Sequence, residues 1–272
     1  MDNPERVRTA QVRALRALAR LFAMASPDAT SYEDPRVTAA IVPAVKDDPD
    51  ANFVAYSSPD GLVSALPRVA EAYRTAGVGS WAIYVPESDS ETTGHLSASG
   101  YRSHDRLPAI VLDLATFEPR PIGDLDYDAE GDIPTLGRLN AAAYDRPRLA
   151  QAFATARDML GLRVYRARLD GQPVCALLTI DLPHAKGIDC AAYFLATVPA
   201  ARRRGLAPRL FTAALLDARE RGCDLCTGQA SPMGAPIYAQ MGFQTAFHFT
   251  RYAPGHAEST SPTLEGQTHE PT

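Results

Sequence analysis

Long apolar runs are missing from this 272-residue chain. No stretch approaches the ~20 residues that span a bilayer, so no membrane partner is expected. A clean signal-peptide core is missing too. Residues 13–25 are rich in leucine and alanine, but Arg16 and Arg20 interrupt them, and a cytoplasmic location is expected. An excess of basic charge is absent. Lys and Arg number 27 against 32 Asp and Glu, a net charge of −5, which argues against a nucleic-acid partner. Cysteine is scarce, with four residues: Cys175, Cys190, Cys223 and Cys226. Cys223 and Cys226 have the gap of zinc ligands, but no second Cys/His pair matches them, so no metal is expected. Their odd separation on a strand predicts side chains on opposite faces, as core thiols of a reducing compartment.

The remaining composition, 46% hydrophobic and 22% charged, is that of a globular protein, and the length suggests about two domains. Residues 4–24 carry a helical apolar stripe through Val7, Leu15, Leu18, Leu21 and Phe22, with arginines on the outer face. Residues 28–35 read as a loop, 37–45 as an irregular apolar segment broken by Pro43, and 46–50 as an acidic turn. Then come a strand at 52–57, a helix at 62–75 stopped by Gly77, and a strand at 80–85. A weak helix at 90–99 ends at Gly100, before a strand at 108–114. Residues 117–132, rich in Pro, Gly and acids, read as an interdomain linker. Beyond it we expect helices at 133–144 and 148–160 and strands at 164–169 and 173–180, hinged on Asp170-Gly171. A strand at 188–197, a helix at 207–221 closed by Gly222, a strand at 224–229, a short helix at 236–241 and a strand at 243–252 follow. The polar tail after Pro254 is expected to be disordered.

The order helix, Gly77, strand, short helix, Gly100-Tyr101, strand recurs as helix, Gly222, strand, short helix, Gly242-Phe243, strand. The recurrence predicts a duplicated α/β (α+β) unit: residues 1–120, residues 121–254, and a tail at 255–272. Only the second copy carries chemistry. There a strand ending in Leu195-Ala196-Thr197 runs through a Pro-broken turn into Arg202-Arg203-Arg204-Gly205-Leu206-Ala207 and a long helix. Such a strand–turn–helix unit is an anion site, because the first helical N–H groups point out of the helix end and the macrodipole favours negative charge. Gly205 and Ala207 let a phosphate approach the backbone.

The spacing Arg202-x-x-Gly205-x-Ala207 resembles the pyrophosphate loop, Q/R-x-x-G-x-G/A, of the GCN5-related N-acetyltransferases (GNAT). Tyr238, four residues before Gly242-Phe243, resembles the tyrosine that this family often uses as a general acid. The resemblance is good over residues 133–252, weak over 52–114 and absent over 1–50. Leu96 stands where the first copy would need the tyrosine, and no such loop precedes Leu62, so the first copy reads as degenerate.

The resemblance implies a tandem fold with a mixed, mostly antiparallel sheet and splayed central strands in the second copy. It implies acetyl-CoA as co-substrate, with direct attack by an amine in a ternary complex. Leu195, Ala196 and Thr197 would line the cofactor arm, Arg202, Arg203, Arg204, Gly205, Leu206 and Ala207 would hold its pyrophosphate, and Tyr238 would protonate the leaving thiolate. Ser231 stands where the family often has a cofactor-binding asparagine. Candidates for the base are Asp189 and Tyr193, which share a strand face, and His248; water is the alternative. By position, Asn140 and Tyr144 are expected on the acceptor side. A small-molecule amine is the expected acceptor, with a protein or peptide amine or a non-catalytic acyl-CoA-binding role as alternatives, in a monomer or homodimer.

Overall fold

The computed structural model describes residues 3–156 and 160–255. Asn3 accepts the Arg6 N–H and Pro4 fills the first turn, starting α1 (Pro4–Ala23). Strands β1 (Thr30–Glu33), β2 (Val37–Ile41) and β3 (Phe53–Tyr56) follow, with a short 3-10 turn at Pro43–Val45. Ser58 caps α2 (Pro59–Thr75), which leads to β4 (Ala82–Pro86). Asp89 caps α3 (Ser90–Ala98), before the long β5 (Tyr101–Asp113). After β6 (Tyr127–Asp128), Asp132 caps α4 (Ile133–Tyr144), and α5 (Pro147–Ala152) completes the helix pair. The remaining elements are β7 (Leu162–Leu169), β8 (Gln172–His184), β9 (Gly187–Thr197), α6 (Leu206–Glu220), β10 (Cys223–Gln229), α7 (Ala235–Gln240) and β11 (Gln244–Pro254).

All strands join one 11-stranded sheet, ordered β1-β2-β3-β4-β11-β5-β10-β9-β8-β7-β6. Reading outward from the β11–β5 seam gives β4, β3, β2, β1 on one side and β10, β9, β8, β7 on the other. The sequence repeat is thus a spatial one: β3 and β4 run parallel, as do β9 and β10, and every other pair is antiparallel. The last strand of each half sits against the other half, β5 on β10 and β11 on β4. A cut near residue 120 therefore crosses a continuous hydrogen-bonded sheet. The four glycines of the repeat, Gly77, Gly100, Gly222 and Gly242, all take positive φ after their helices, which explains their recurrence.

Side-chain alternation divides the core. Phe53, Ala55, Ala191 and Tyr193 face α1, α4 and α5, whereas Val54 and Tyr56 face α2 and α3, and Cys175, Leu177 and Cys190 face α6. The structure departs from the sequence reading where polarity hid pairing. Residues 30–33 are a strand rather than loop, the irregular apolar segment forms a strand at 37–41, and β5 begins at Tyr101 because β11 pairs with it back to that residue. Residues 117–132 are docked rather than free. Phe117 is buried, β6 joins the sheet, and Arg209 holds the Ile122 carbonyl and the Asp124 carboxylate. Helix α5 ends at Ala152, and part of the expected 148–160 helix, like the expected disordered tail, lies outside the described residues. Cys223 and Cys226 do not face opposite ways. A bulge in β10 gives the strand one extra residue between them, and both join the α6-side core with Cys190.

The arginines of α1 are not a solvated stripe either. Arg16 donates to Thr38 and to the carbonyls of Asp34 and Pro35, Arg20 pairs with Glu33, and Arg6 and Arg13 reach Asp189. No described helix is long and apolar enough to cross a membrane.

Candidate active site

Strand β9 follows β10 only as far as Thr227 opposite Ala191. There Gly228 comes so close that a Cβ would sit 3.0 Å from the Ala192 carbonyl oxygen. Past this point β9 keeps its β8 partners through Thr197, but the edge that faced β10 is left without a strand. Unpaired backbone in a cleft is a ready docking edge for an extended amide-bearing ligand.

Within this stretch β9 bulges. Leu178 pairs with Tyr193 and Ala176 with Ala196, so two residues of β9 oppose Leu177. Phe194 takes φ +58, a left-handed conformation costing a non-glycine residue about 1–2 kcal/mol. Helix α4 holds the bulge in place. Asn140 donates to the Phe194 carbonyl at 3.0 Å, and the Tyr144 hydroxyl donates to the Leu195 carbonyl at 3.1 Å.

A 3-10 turn at Pro199–Ala201 leads from β9 to the arginine loop. Arg203 has φ +62 and Gly205 φ +70, and this alternation of backbone hand turns successive N–H groups inward as an anion-binding nest. No side chain caps α6, in contrast to α1, α2, α3 and α4, so the N–H groups of Leu206 and Ala207 stay open at a terminus carrying about half a positive charge. Nothing lies within 4 Å of where a Gly205 Cβ would be, so the space over the loop is free.

Arg202, on the cavity wall, also ties two elements together. Its guanidinium donates to the Thr197 carbonyl at 3.2 Å and to the Ala143 carbonyl, welding the end of β9 to the end of α4. Arg203 and Arg204 are exposed and make no ion pair or side-chain hydrogen bond among the described residues.

Helix α7 closes the far wall. Tyr238 packs edge-on against Phe211 and Phe243, with centroids 5.8 and 5.7 Å away. Burial, followed by the neighbouring Tyr144, pushes its phenol well above the ordinary tyrosine range, so it is protonated at neutral pH. A cavity of about 340 Å³ runs between these parts. It is lined by Leu195, Ala196, Thr197, Arg202, Arg203, Gly205, Leu206, Ala207, Tyr144 and Tyr238.

The other expected site residues lie apart from that lining. Arg204 is on the loop but outside the cavity wall, and Ser231 accepts the Gly234 N–H at 3.1 Å, shaping the turn before α7. Asn140 is 1% exposed and acts through the bulge rather than at the surface. Tyr193 shares a face with Asp189, as alternation predicted, but it is the α1 face. Its hydroxyl is buried without a hydrogen-bond partner among the described residues. Asp189, fully buried, is taken up by Arg6 at 3.3 Å and Arg13 at 2.6 Å. Asp189, His184 and Asp224 have ligand-type atoms within 4.8 Å of one another, but Arg6 bridges the two carboxylates and supplies the counter-charge. His248 rests 3.6 Å from Glu87. Sequence reasoning missed Ala143, Met233, Gly234 and Ile237 on the cavity wall, since small and apolar residues carry no chemical signature.

The first half lacks these features at the matching places. Ser58 caps α2 where α6 is open, and Leu96 of α3, fully buried, stands for Tyr238.

Residues 133–243 match the acetyltransferase (GNAT) family. A comparison with curated proteins gives no match. Among solved structures, a GCN5-related N-acetyltransferase from Kribbella flavida shares 16% identity, with 89% of this chain and 95% of that one covered at a TM-score of 0.60. A conserved protein of unknown function from Staphylococcus epidermidis shares 12%, with 82% and 92% covered at 0.55. The GCN5-related glucosamine N-acetyltransferase region of a fungal multi-domain GH3 β-N-acetylglucosaminidase shares 14%, with 87% of this chain and 34% of that one covered at 0.53. At such identities the likeness is one of fold, and it extends over both halves of the sheet. Residues 133–243 thus carry the match to the acetyltransferase (GNAT) family, and the shared fold extends beyond them to the first half.

Proposed function

We propose that the protein is an acetyl-CoA-dependent N-acetyltransferase that acetylates a small-molecule amine by direct attack. The observation that carries this reading is the single cavity in which the unpaired edge of β9, the uncapped start of α6 and Tyr238 meet. Acetyl-CoA would supply an activated acetyl thioester. The N–H groups of residues 203–207 would hold its pyrophosphate, with Arg203 and Arg204 adding charge. The edge of β9 at residues 195–197 would pair with the pantetheine amides, and an N–H of Ala196 or Thr197 would polarise the thioester carbonyl.

Tyr238 would donate its proton to the departing thiolate, a task for which a half-buried, protonated phenol is suited. No base is needed on β9. The Asp189 carboxylate is bound by two arginines, so the amine proton is assigned to water. Tyr144, part-exposed on the rim, would face the acceptor. The test is calorimetric binding of acetyl-CoA to the full chain, then thiol release against a panel of amines and peptides. Micromolar binding with turnover of free amines is expected. Absence of binding, or turnover of peptides alone, would sink the proposal.

A further inference from the structure

We infer that Arg146, gripped by Asp48 and Asp50 of the first half, is a positioning residue for the acceptor-side wall of the cavity. The inference rests on the acyl-transfer reading for its catalytic consequence, while its structural part stands on contacts outside the cavity. Helix α4 ends at Tyr144, and Asp145 turns the chain left-handed at φ +53. The Arg146 N–H then closes back on the Ala141 carbonyl at 2.9 Å. Tyr144 and Arg146 thus belong to one tight corner, with Tyr144 on the cavity side. From the other side of the corner Arg146 donates to Asp50 at 2.8 Å and to Asp48.

Those aspartates are held in advance. Asn52, fully buried, accepts the Val42 N–H at 2.7 Å and donates to the carbonyls of Val45 at 2.9 Å and Asp48 at 3.1 Å, bracing the loop that bears them. Asp50 is gripped again by Arg251, which is 6% exposed and also binds Asp105 through its Nε at 2.5 Å. The chain Asp105–Arg251–Asp50–Arg146–Asp48 alternates in sign from the β5–β11 seam to the corner of α4. Burial works against ionising Asp50, yet Arg251 and Arg146 together hold its carboxyl below the ordinary value.

Partly exposed ion pairs such as Arg146–Asp50 stabilise little. Their effect here is one of placement. The corner leads directly to the Tyr144 bond with the Leu195 carbonyl, and so to the bulge where the acyl group would sit. Placement errors of about 1 Å at a reacting centre can cost a hundredfold in rate. The first half, which has no loop or acid of its own, would contribute to the reaction through this contact.

The test uses the full chain and Arg146→Ala, Arg146→Lys and Asp48→Asn/Asp50→Asn. Hydrogen exchange read by mass spectrometry needs no known acceptor. In Arg146→Ala, exchange should quicken over residues 141–149 and 193–198 and stay at wild-type rates over α6, with Arg146→Lys restoring most of the protection. With the amine that the wild type turns over best, acceptor kcat/KM should fall roughly tenfold while the acetyl-CoA Kd moves less than about twofold. Adding Arg146→Ala to the double aspartate variant should cost nothing more, because one contact is removed either way. Wild-type exchange at both segments, additive losses, or quickened exchange throughout the chain would overturn the inference. Failure of the wild type to bind acetyl-CoA would sink the acyl-transfer reading instead, and exchange at the two segments would still judge the clamp.

Discussion

Replacing Tyr238 by phenylalanine removes one oxygen and keeps the ring that packs on Phe211 and Phe243. The hydroxyl has no protein hydrogen-bond partner among the described residues, so its loss orphans no donor or acceptor. Stability should stay within about 0.5 kcal/mol, a Tm change of roughly 1–2 °C for a chain of this size. The acetyl-CoA Kd should hold as well, since the backbone loop and helix end are untouched. Turnover should not hold. A positioned general acid contributes about 10²–10⁴-fold, which is about 2.7–5.4 kcal/mol of barrier at 1.36 kcal/mol per decade. The assay is thiol release at saturating acetyl-CoA and amine, with calorimetric binding and thermal melting on the same sample. The wild-type rate should not decline on this group's account as pH rises from 7 to 9, because burial raises the phenol's titration away from that window. A Tyr238→Phe enzyme with wild-type kcat would refute the assignment, as would a kcat loss matched by equal loss of folded protein.

Other substitutions separate binding from scaffolding. Gly205→Val puts a β-branched residue at φ +70 and should cost more than about 1–2 kcal/mol of stability, with acetyl-CoA binding lost in calorimetry. Arg203→Ala and Arg204→Ala should weaken acetyl-CoA binding by a few-fold each and flatten its salt dependence. Arg202→Ala should instead lower Tm, since its partners are the carbonyls of Ala143 and Thr197. Asp189→Asn should lower Tm by several degrees, because Arg6 and Arg13 lose their shared buried partner, yet leave kcat of the folded enzyme unchanged; a hundredfold kcat loss would restore Asp189 as base. The depressed Asp50 carboxyl contributes stability that is full above the ordinary carboxylate range and is lost as pH falls through its folded value. Asp50→Asn should therefore flatten the acid limb of a Tm-against-pH curve and leave its neutral part displaced downward.

Much of this was legible along the chain. The apolar stripe of α1, the helix-stopping glycines, the Asp170-Gly171 hairpin and the loop from Arg202 to Ala207 are local signals, because a helix face, a left-handed residue and a phosphate nest are each built within a few residues. The repeat was also visible, since its glycines recur at similar spacing. Charged partners were not. The arginines of α1 read as an outer face and nothing along the chain marks Arg146 or Arg251, because their bonds to Asp189, Thr38, Asp48, Asp50 and Asp105 join residues far apart in sequence. The bulges in β9 and β10 were equally hidden. Phe194 carries no turn signature, and one inserted residue brings Cys223 and Cys226 to one face.

The sequence by itself carried the family resemblance, the Arg202–Ala207 loop and the placing of Tyr238, because a backbone nest and a helix N-terminus are short-range objects. Tertiary structure alone decided that β5 and β11 cross between the halves. Hydrogen-bond register between distant strands leaves only weak traces in composition. It also decided which charged groups are free. Asp189 is held by Arg6 and Arg13, and Arg146 by Asp48 and Asp50, since a charged group's surroundings depend on the partner that folding places beside it.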